Sequence, residues 1–177
     1  MAPSDQVSEQ KSAVSSLSAQ APKELLFTDS LAEKDDTHDA AGNLPDLGDA
    51  IDIVTFGQIL EMDESEDDRD FSSSIVFGFF EQAEETFDKM DEALEAKNLE
   101  ELYRLGHFLK GSSATLGLTK VKDSCEKIQR YGKKENVDGT PQKDEELCLS
   151  RITETLKAVK TEYAEAETTL KKFFNAT

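Results

Sequence analysis

NLEELYRLGHFLKGSSATLGL, residues 98–118, reads as one helix with both of its ends marked. Asn98 is placed to cap it, and Glu101 follows three residues later, as in a capping box. Leu102, Leu105, Leu109 and Leu116 then recur at helical spacing and form a single apolar stripe. Gly117 suits the left-handed residue that closes a helix, and Leu118 suits the apolar contact of a Schellman end. A helix with one apolar stripe must bury it against other elements, so its neighbours decide the architecture.

Those neighbours read as helices too. Thr119 starts the next one, with Val121, Cys125 and Ile128 inward and an end near Gly132. Asn136-Val137-Asp138-Gly139 is a turn. Thr140 is then expected to cap a long last helix, with Pro141 in its first position, where a missing N–H costs nothing. Leu156, Val159, Tyr163, Ala166, Leu170 and Phe173 alternate three- and four-residue steps there, the seam of an antiparallel bundle. Upstream, a helix from about Phe71 places Phe71, Ile75, Phe79, Ala83, Phe87, Met90 and Leu94 on one face. Before it, Asp52 caps a short helix carrying Ile53, Phe56, Ile59 and Leu60. The acidic run between the two, Glu61 to Asp70, reads as a solvated linker with capping residues. No strand pattern appears. The fold class is all-α: an antiparallel up-down four-helix bundle, with a short extra N-terminal helix packed across it as a cap.

Residues 1–48 are rich in Ser, Ala, Gln and Asp, with Leu25-Leu26-Phe27 the main apolar cluster. Such a segment buries too little to offset its ordering entropy and is expected to be a disordered tail, leaving 49–177 as the bundle domain. A net charge of −18 argues against nucleic acid and anionic membrane as partners. The N-terminus lacks the pattern of a secretory signal, and no stretch is apolar enough to span a bilayer, so an intracellular, soluble protein is expected. Cys125 and Cys148 form neither a disulfide framework nor a zinc spacing and suit buried positions. Phosphate-binding, dinucleotide, zinc-protease and calcium-loop motifs are absent, and no Glu-x-x-His pair offers a di-iron site. No metal and no cofactor are expected.

Chemistry concentrates on one of the two histidines. His38 stands among Asp35, Asp36 and Asp39 in the tail and is assigned no function. His107 lies mid-helix, away from the leucine stripe, and shares its face with Tyr103, Arg104, Lys110 and Gly111. Gly106 and Gly111 cost helix stability, roughly 1 kcal/mol each relative to alanine. Gly106 suits close helix packing, and Gly111 leaves a bare approach to the imidazole. From Arg104 to Lys134 there are eight basic residues against two acids, within an acidic chain. Lys110 can reach an anion on His107, and the wider patch can steer an acidic partner. An exposed imidazole is a good nucleophile near neutral pH, and phosphoryl transfer asks mainly for positioning and charge neutralisation.

The run Leu105-Gly106-His107-Phe108-Leu109-Lys110-Gly111-Ser112-Ser113-Ala114-Thr115-Leu116-Gly117-Leu118 resembles the motif of histidine-phosphotransfer domains, and closely that of fungal phosphorelay intermediates. The likeness extends to Ile59–Asp63, Phe77–Ala83 and Cys125–Gln129, over roughly residues 52–135, with a C-terminal helix matching in kind. The loop before the last helix is short here, where some fungal relatives carry a longer insertion. The resemblance implies that His107 is the phosphoacceptor, that Lys110 stabilises the phosphate charge, and that Gln129 orients the imidazole. It implies that Gly111 leaves room for the docking partner, with Arg104 alongside and Ile53, Phe56 and Leu60 as candidates for an apolar docking surface. Those three suit burial under the bundle equally well. The implied partners are the receiver domains of a hybrid histidine kinase and of response regulators, commonly in osmotic or oxidative stress sensing. Magnesium belongs to the receiver. The implied molecule is a monomeric phosphoryl carrier, cytoplasmic and nuclear, with no ATP site or kinase activity of its own. A non-catalytic adaptor that binds receiver domains is the alternative, and a bundle with a metal or haem site is a third.

Overall fold

The computed structural model describes residues 46–176. The expected tail, with Leu25-Leu26-Phe27 and His38, falls almost wholly outside the described residues. Five helices follow one another: α1 (Ile53–Leu60), α2 (Asp70–Glu95), α3 (Leu99–Thr115), α4 (Thr119–Gly132) and α5 (Glu145–Phe173). Among the described residues no strand forms, and only isolated bridges such as Ile51 with Leu118 occur. Helices α2 to α5 run up and down around one core, with α3 on α4, α4 on α5, and α2 touching both α3 and α5.

The ends of α3 form as the sequence dictates. The Asn98 side chain accepts the Glu101 N–H at 3.1 Å. At the other end Gly117 takes φ +74°, with Leu118 N–H donating to Ser113 O at 2.9 Å and Gly117 N–H to Ala114 O at 3.1 Å, which completes a Schellman motif. Asp52 caps α1 by accepting the Val54 N–H at 3.0 Å. Its own N–H donates to Gly117 O at 2.7 Å, so the entry to α1 is tied to the α3–α4 turn. Helix α1 thereby covers the end of the bundle where α3 stops, α4 starts and α5 stops. Leu47 and Ile51, just before α1, are buried, so packing begins slightly ahead of the expected domain boundary.

Three expectations are corrected. The last helix starts at Glu145, not after Thr140. Thr140 is consumed by the preceding turn, its N–H and hydroxyl both donating to Asp138 at 2.9 and 2.6 Å, and Asp144 is the cap instead. The inner face of α2 is shifted. Phe71 is 41% exposed and Ile75 half-buried, while Ser72 and Val76 point inward. Strict four-residue steps rotate about 40° each around a helix of 3.6 residues per turn, so a row that is inward at Phe87 has left the core by Phe71. Asp63 fixes this turn of α2: its carboxylate accepts from Ser72 N–H at 2.8 Å and Ser72 Oγ at 2.6 Å and pairs with Arg69 at 3.5 Å. The acidic run is therefore not wholly solvated, since the Asp63 side chain is 1% exposed.

The core is aromatic at two levels. Phe79, Phe80 and Phe87 surround the ring of Tyr163, the nearest at 5.3 Å between centroids. Phe56 meets Phe173 edge-on at 5.6 Å and Phe174 at 6.4 Å, which fastens α1 to the end of α5. Each such buried ring contributes about 2 kcal/mol through apolar burial. Both cysteines are free and buried, as expected, and burial pushes the Cys125 thiol up to about 12.

Candidate functional site

Two glycines set the distance between α3 and α4. A Cβ on Gly106 would stand 2.9 Å from Gln129 N and 3.1 Å from Cys125 O. A Cβ on Gly132 would stand 2.6 Å from Tyr103 N. Each helix thus presents a bare backbone to the other, and the crossing is closer than any side chain allows. That approach carries Gln129 across to the next helix: its Nε2 lies 3.3 Å from His107 Nδ1. Tyr103, one turn before His107, stacks near-parallel on the imidazole, with 16° between planes and 6.4 Å between centroids. The ring is exposed, held on one edge by Gln129 and on one face by Tyr103, and its Nε2 remains free.

The amide of Gln129 can face the ring either way round. With Nε2 toward Nδ1, the ring proton sits on His107 Nε2, and Gln129 Oε1 is buried with no donor. Turned over, Oε1 accepts a proton held on Nδ1, which leaves the lone pair on the outward Nε2. The second arrangement is the nucleophilic tautomer.

Around this centre the expected residues fall into two groups. Lys110 is half-buried rather than fully exposed. It lines a cleft of about 170 Å³ with Gln129, Arg130, Lys133, Glu126 and Glu135. Among the described residues it pairs with no carboxylate, and it stands three residues, about one turn, after His107 on α3. Gly111 is exposed, and a Cβ there meets nothing within 4 Å. Arg104 is exposed but tied to Glu100 at 2.9 Å, a surface pair worth a few tenths of a kcal/mol and readily exchanged. The basic excess counted along the sequence is reduced in space. Arg130 pairs with Glu126 and Glu135, Lys133 with Glu135, and Lys134 with Glu145.

The other group is corrected at two of its three residues. Phe56 and Leu60 are core residues, packed between α1 and the rest of the bundle, and offer no docking surface. Ile53 is half-buried against the same core. The exposed apolar side chains of this region are Val54 and Met62, with Phe71 on α2 and Phe108 beside His107. Phe108 was legible as a surface aromatic, since it stands outside the Leu102, Leu105, Leu109 spacing. Val54 follows the cap of a short amphipathic helix and carries no such signal. Among the described residues no three His, Cys, Asp or Glu side chains gather as a metal site.

The Hpt domain family matches this chain over residues 75–167. The chain is similar to multistep phosphorelay regulator 1 of Schizosaccharomyces pombe, 48% identical over 125 residues, which is 70% of this chain and 42% of that protein. It is also similar to phosphorelay intermediate protein YPD1 of Candida albicans, 49% identical over 102 residues, 58% of this chain and 54% of that protein. The chain spans about half the length of the curated relatives it matches. Among solved structures it resembles the Saccharomyces cerevisiae histidine phosphotransfer signalling protein Ypd1, in co-crystal with the receiver domain of its downstream response regulator Ssk1. The TM-score is 0.64 and the identity 35%, over 72% of this chain and 95% of that one.

Proposed function

This chain belongs to the Hpt domain family, and from that premise we propose that it relays a phosphoryl group between receiver domains through His107. It takes the group from the receiver aspartate of a hybrid histidine kinase and gives it to the receiver aspartate of a response regulator. The observation that carries this is the His107–Gln129 pair: an exposed imidazole with Nδ1 engaged from the neighbouring helix and Nε2 free.

The step balances without any group beyond the two proteins and the receiver's magnesium. The lone pair of His107 Nε2 attacks phosphorus in line with the aspartyl oxygen. The N–P bond forms as the P–O bond breaks, and the carboxylate leaves with the electron pair. The ring becomes cationic and keeps its proton on Nδ1, donated to Gln129 Oε1, which disperses the charge. Lys110 neutralises the equatorial phosphoryl oxygens, the main electrostatic demand of such a transition state. The second transfer is the same step reversed onto another aspartate. Gly111 clears the approach for a broad partner surface, and Phe108, exposed next to His107 in the chain, offers apolar contact beside the reacting nitrogen. A monomeric carrier that moves between cytoplasm and nucleus fits a relay linking separate kinases and regulators.

A radiolabelled, phosphorylated receiver mixed with the wild-type chain and with His107→Gln tests this reading. Label on the wild type alone, lost in acid and retained in base, supports phosphohistidine at His107. Label on both places the acceptor elsewhere, and stable binding of the receiver without any label supports the adaptor.

A further inference from the structure

The chain has three tyrosines, and the bundle uses two of them. Tyr163 is buried in the core, and Tyr131 packs against it. Tyr103 belongs to neither group. Its backbone stands at the α3–α4 crossing, where Gly132 faces its N and Cα. Its side chain is half-buried and lies along the imidazole of the residue one turn on, with 16° between the ring planes. The 6.4 Å between centroids falls within the range of offset-stacked aromatic pairs, about 4.5–7 Å.

Gln129 engages His107 at one atom, Nδ1, at 3.3 Å. A single hydrogen bond leaves the ring free to tilt about that contact, and a second ring held near-parallel restricts the tilt. Charge gives the pair a further consequence. The attacking imidazole is neutral, whereas a ring with a phosphoryl group on Nε2 and a proton on Nδ1 is cationic. The face of an aromatic ring is negative, so Tyr103 favours the phosphorylated ring over the free one.

We infer that Tyr103 is a positioning residue for the phosphorylated state: it holds the imidazole plane and stabilises the cationic phosphoimidazole, so that the phosphoryl group stays on His107 longer. The inference rests on the reading of His107 as the phosphoacceptor and adds a residue that sets how long the carrier keeps its cargo. In hydrolysis a water oxygen bonds to phosphorus as the N–P bond breaks, and the electron pair returns to Nε2, which discharges the ring. A loose transition state has already lost part of that charge. Stabilising the cation therefore lowers the ground state more than the transition state and slows loss to water. The ring can be replaced without disturbing the crossing, because the atoms of Tyr103 nearest to Gly132 are backbone.

The test loads the full chain from phosphoramidate, a small phosphodonor. Its P–N bond breaks, ammonia leaves with the electron pair, and the Nε2–P bond forms. After the donor is removed, phosphorus NMR follows the decay of phosphohistidine at one pH in the wild type, Tyr103→Leu and Tyr103→Phe. Thermal unfolding reads the fold. The expected half-life is about threefold shorter in Tyr103→Leu and close to wild type in Tyr103→Phe, with equal melting temperatures. Leucine keeps apolar bulk and helix propensity but has no π face, so a purely structural role would not separate the two variants. Equal half-lives in wild type and Tyr103→Leu overturn the inference, as does a shortened half-life that Tyr103→Phe does not restore. Should Tyr103→Leu misfold, Tyr103→Gln asks the same question, and an unchanged half-life there overturns it equally. Loading needs no receiver, so a chain with the expected half-lives that passes nothing between receivers sinks the relay reading alone.

Discussion

The α3–α4 crossing and the open side of α2 and α3 both contain glycine within helices, and for opposite reasons. At the crossing, Gly106 and Gly132 have no room: a Cβ on either would strike the backbone of the other helix. Along the open side, Gly111 and Gly78 have nothing within 4 Å. The first pair is explained inside the molecule, because it brings Gln129 to His107. Among the described residues the second pair meets no contact that requires it, and Gly111 lies about one turn beyond the exposed His107. A helix that gives up stability at an open position without internal return is shaped for something that arrives from outside.

The largest expected effect comes from breaking the crossing. Gly132→Ala forces a methyl against Tyr103 and should destabilise the protein by about 3 kcal/mol, seen as a lower melting temperature. If stability is unchanged, the helices are free to separate and the crossing does not position Gln129. Next is Asp63→Ala, which frees Ser72 and Arg69 and should cost about 2 kcal/mol in denaturant unfolding at neutral pH. Burial by itself raises the Asp63 carboxyl, but the Ser72 hydroxyl and N–H, together with Arg69, more than offset it and hold the group below its ordinary value of 3.8. A lowered folded value means that Asp63 contributes its ionic stability above 3.8 and loses it as pH falls through the folded value. The gap between wild type and variant should therefore narrow in acid, and a gap independent of pH would contradict the assignment.

Smaller effects separate chemistry from fold on the open side. Lys110→Ala should slow phosphoryl transfer about tenfold while leaving helicity by circular dichroism intact. A large loss of helicity would mean that Lys110 serves the bundle rather than the phosphate. The smallest effect has the opposite sign to the first. Gly111→Ala should stabilise the chain by up to about 1 kcal/mol, since its methyl enters open space on a helix. Gly111→Gln should at the same time weaken receiver binding. Unchanged affinity would mean that the partner approaches His107 from another side.

Most of this arrangement is legible where local rules act alone. Asn98, Gly117 and Leu118 mark the ends of α3, and the leucine spacing leaves His107 facing outward. Legibility fails where tertiary contacts choose between local options. Thr140 suits a helix cap and a turn equally, and Asp138 decides for the turn. Phe56 and Leu60 sit on an amphipathic helix whose partner cannot be named from spacing, and the folded bundle buries both, Phe56 against the end of α5. Gly132 reads as a helix end, which it is, while its closeness to Tyr103 depends on a crossing that only the folded chain reveals. Gln129 entered through resemblance, because no local pattern links residues 22 apart on two helices.

The most direct test of the account is passage of label through the chain. A radiolabelled kinase receiver, the chain and a response-regulator receiver are combined, with wild type compared against His107→Gln. The account predicts label on the second receiver only when wild-type chain is present, with an acid-labile, base-stable intermediate on that chain. Equal passage with His107→Gln would contradict it.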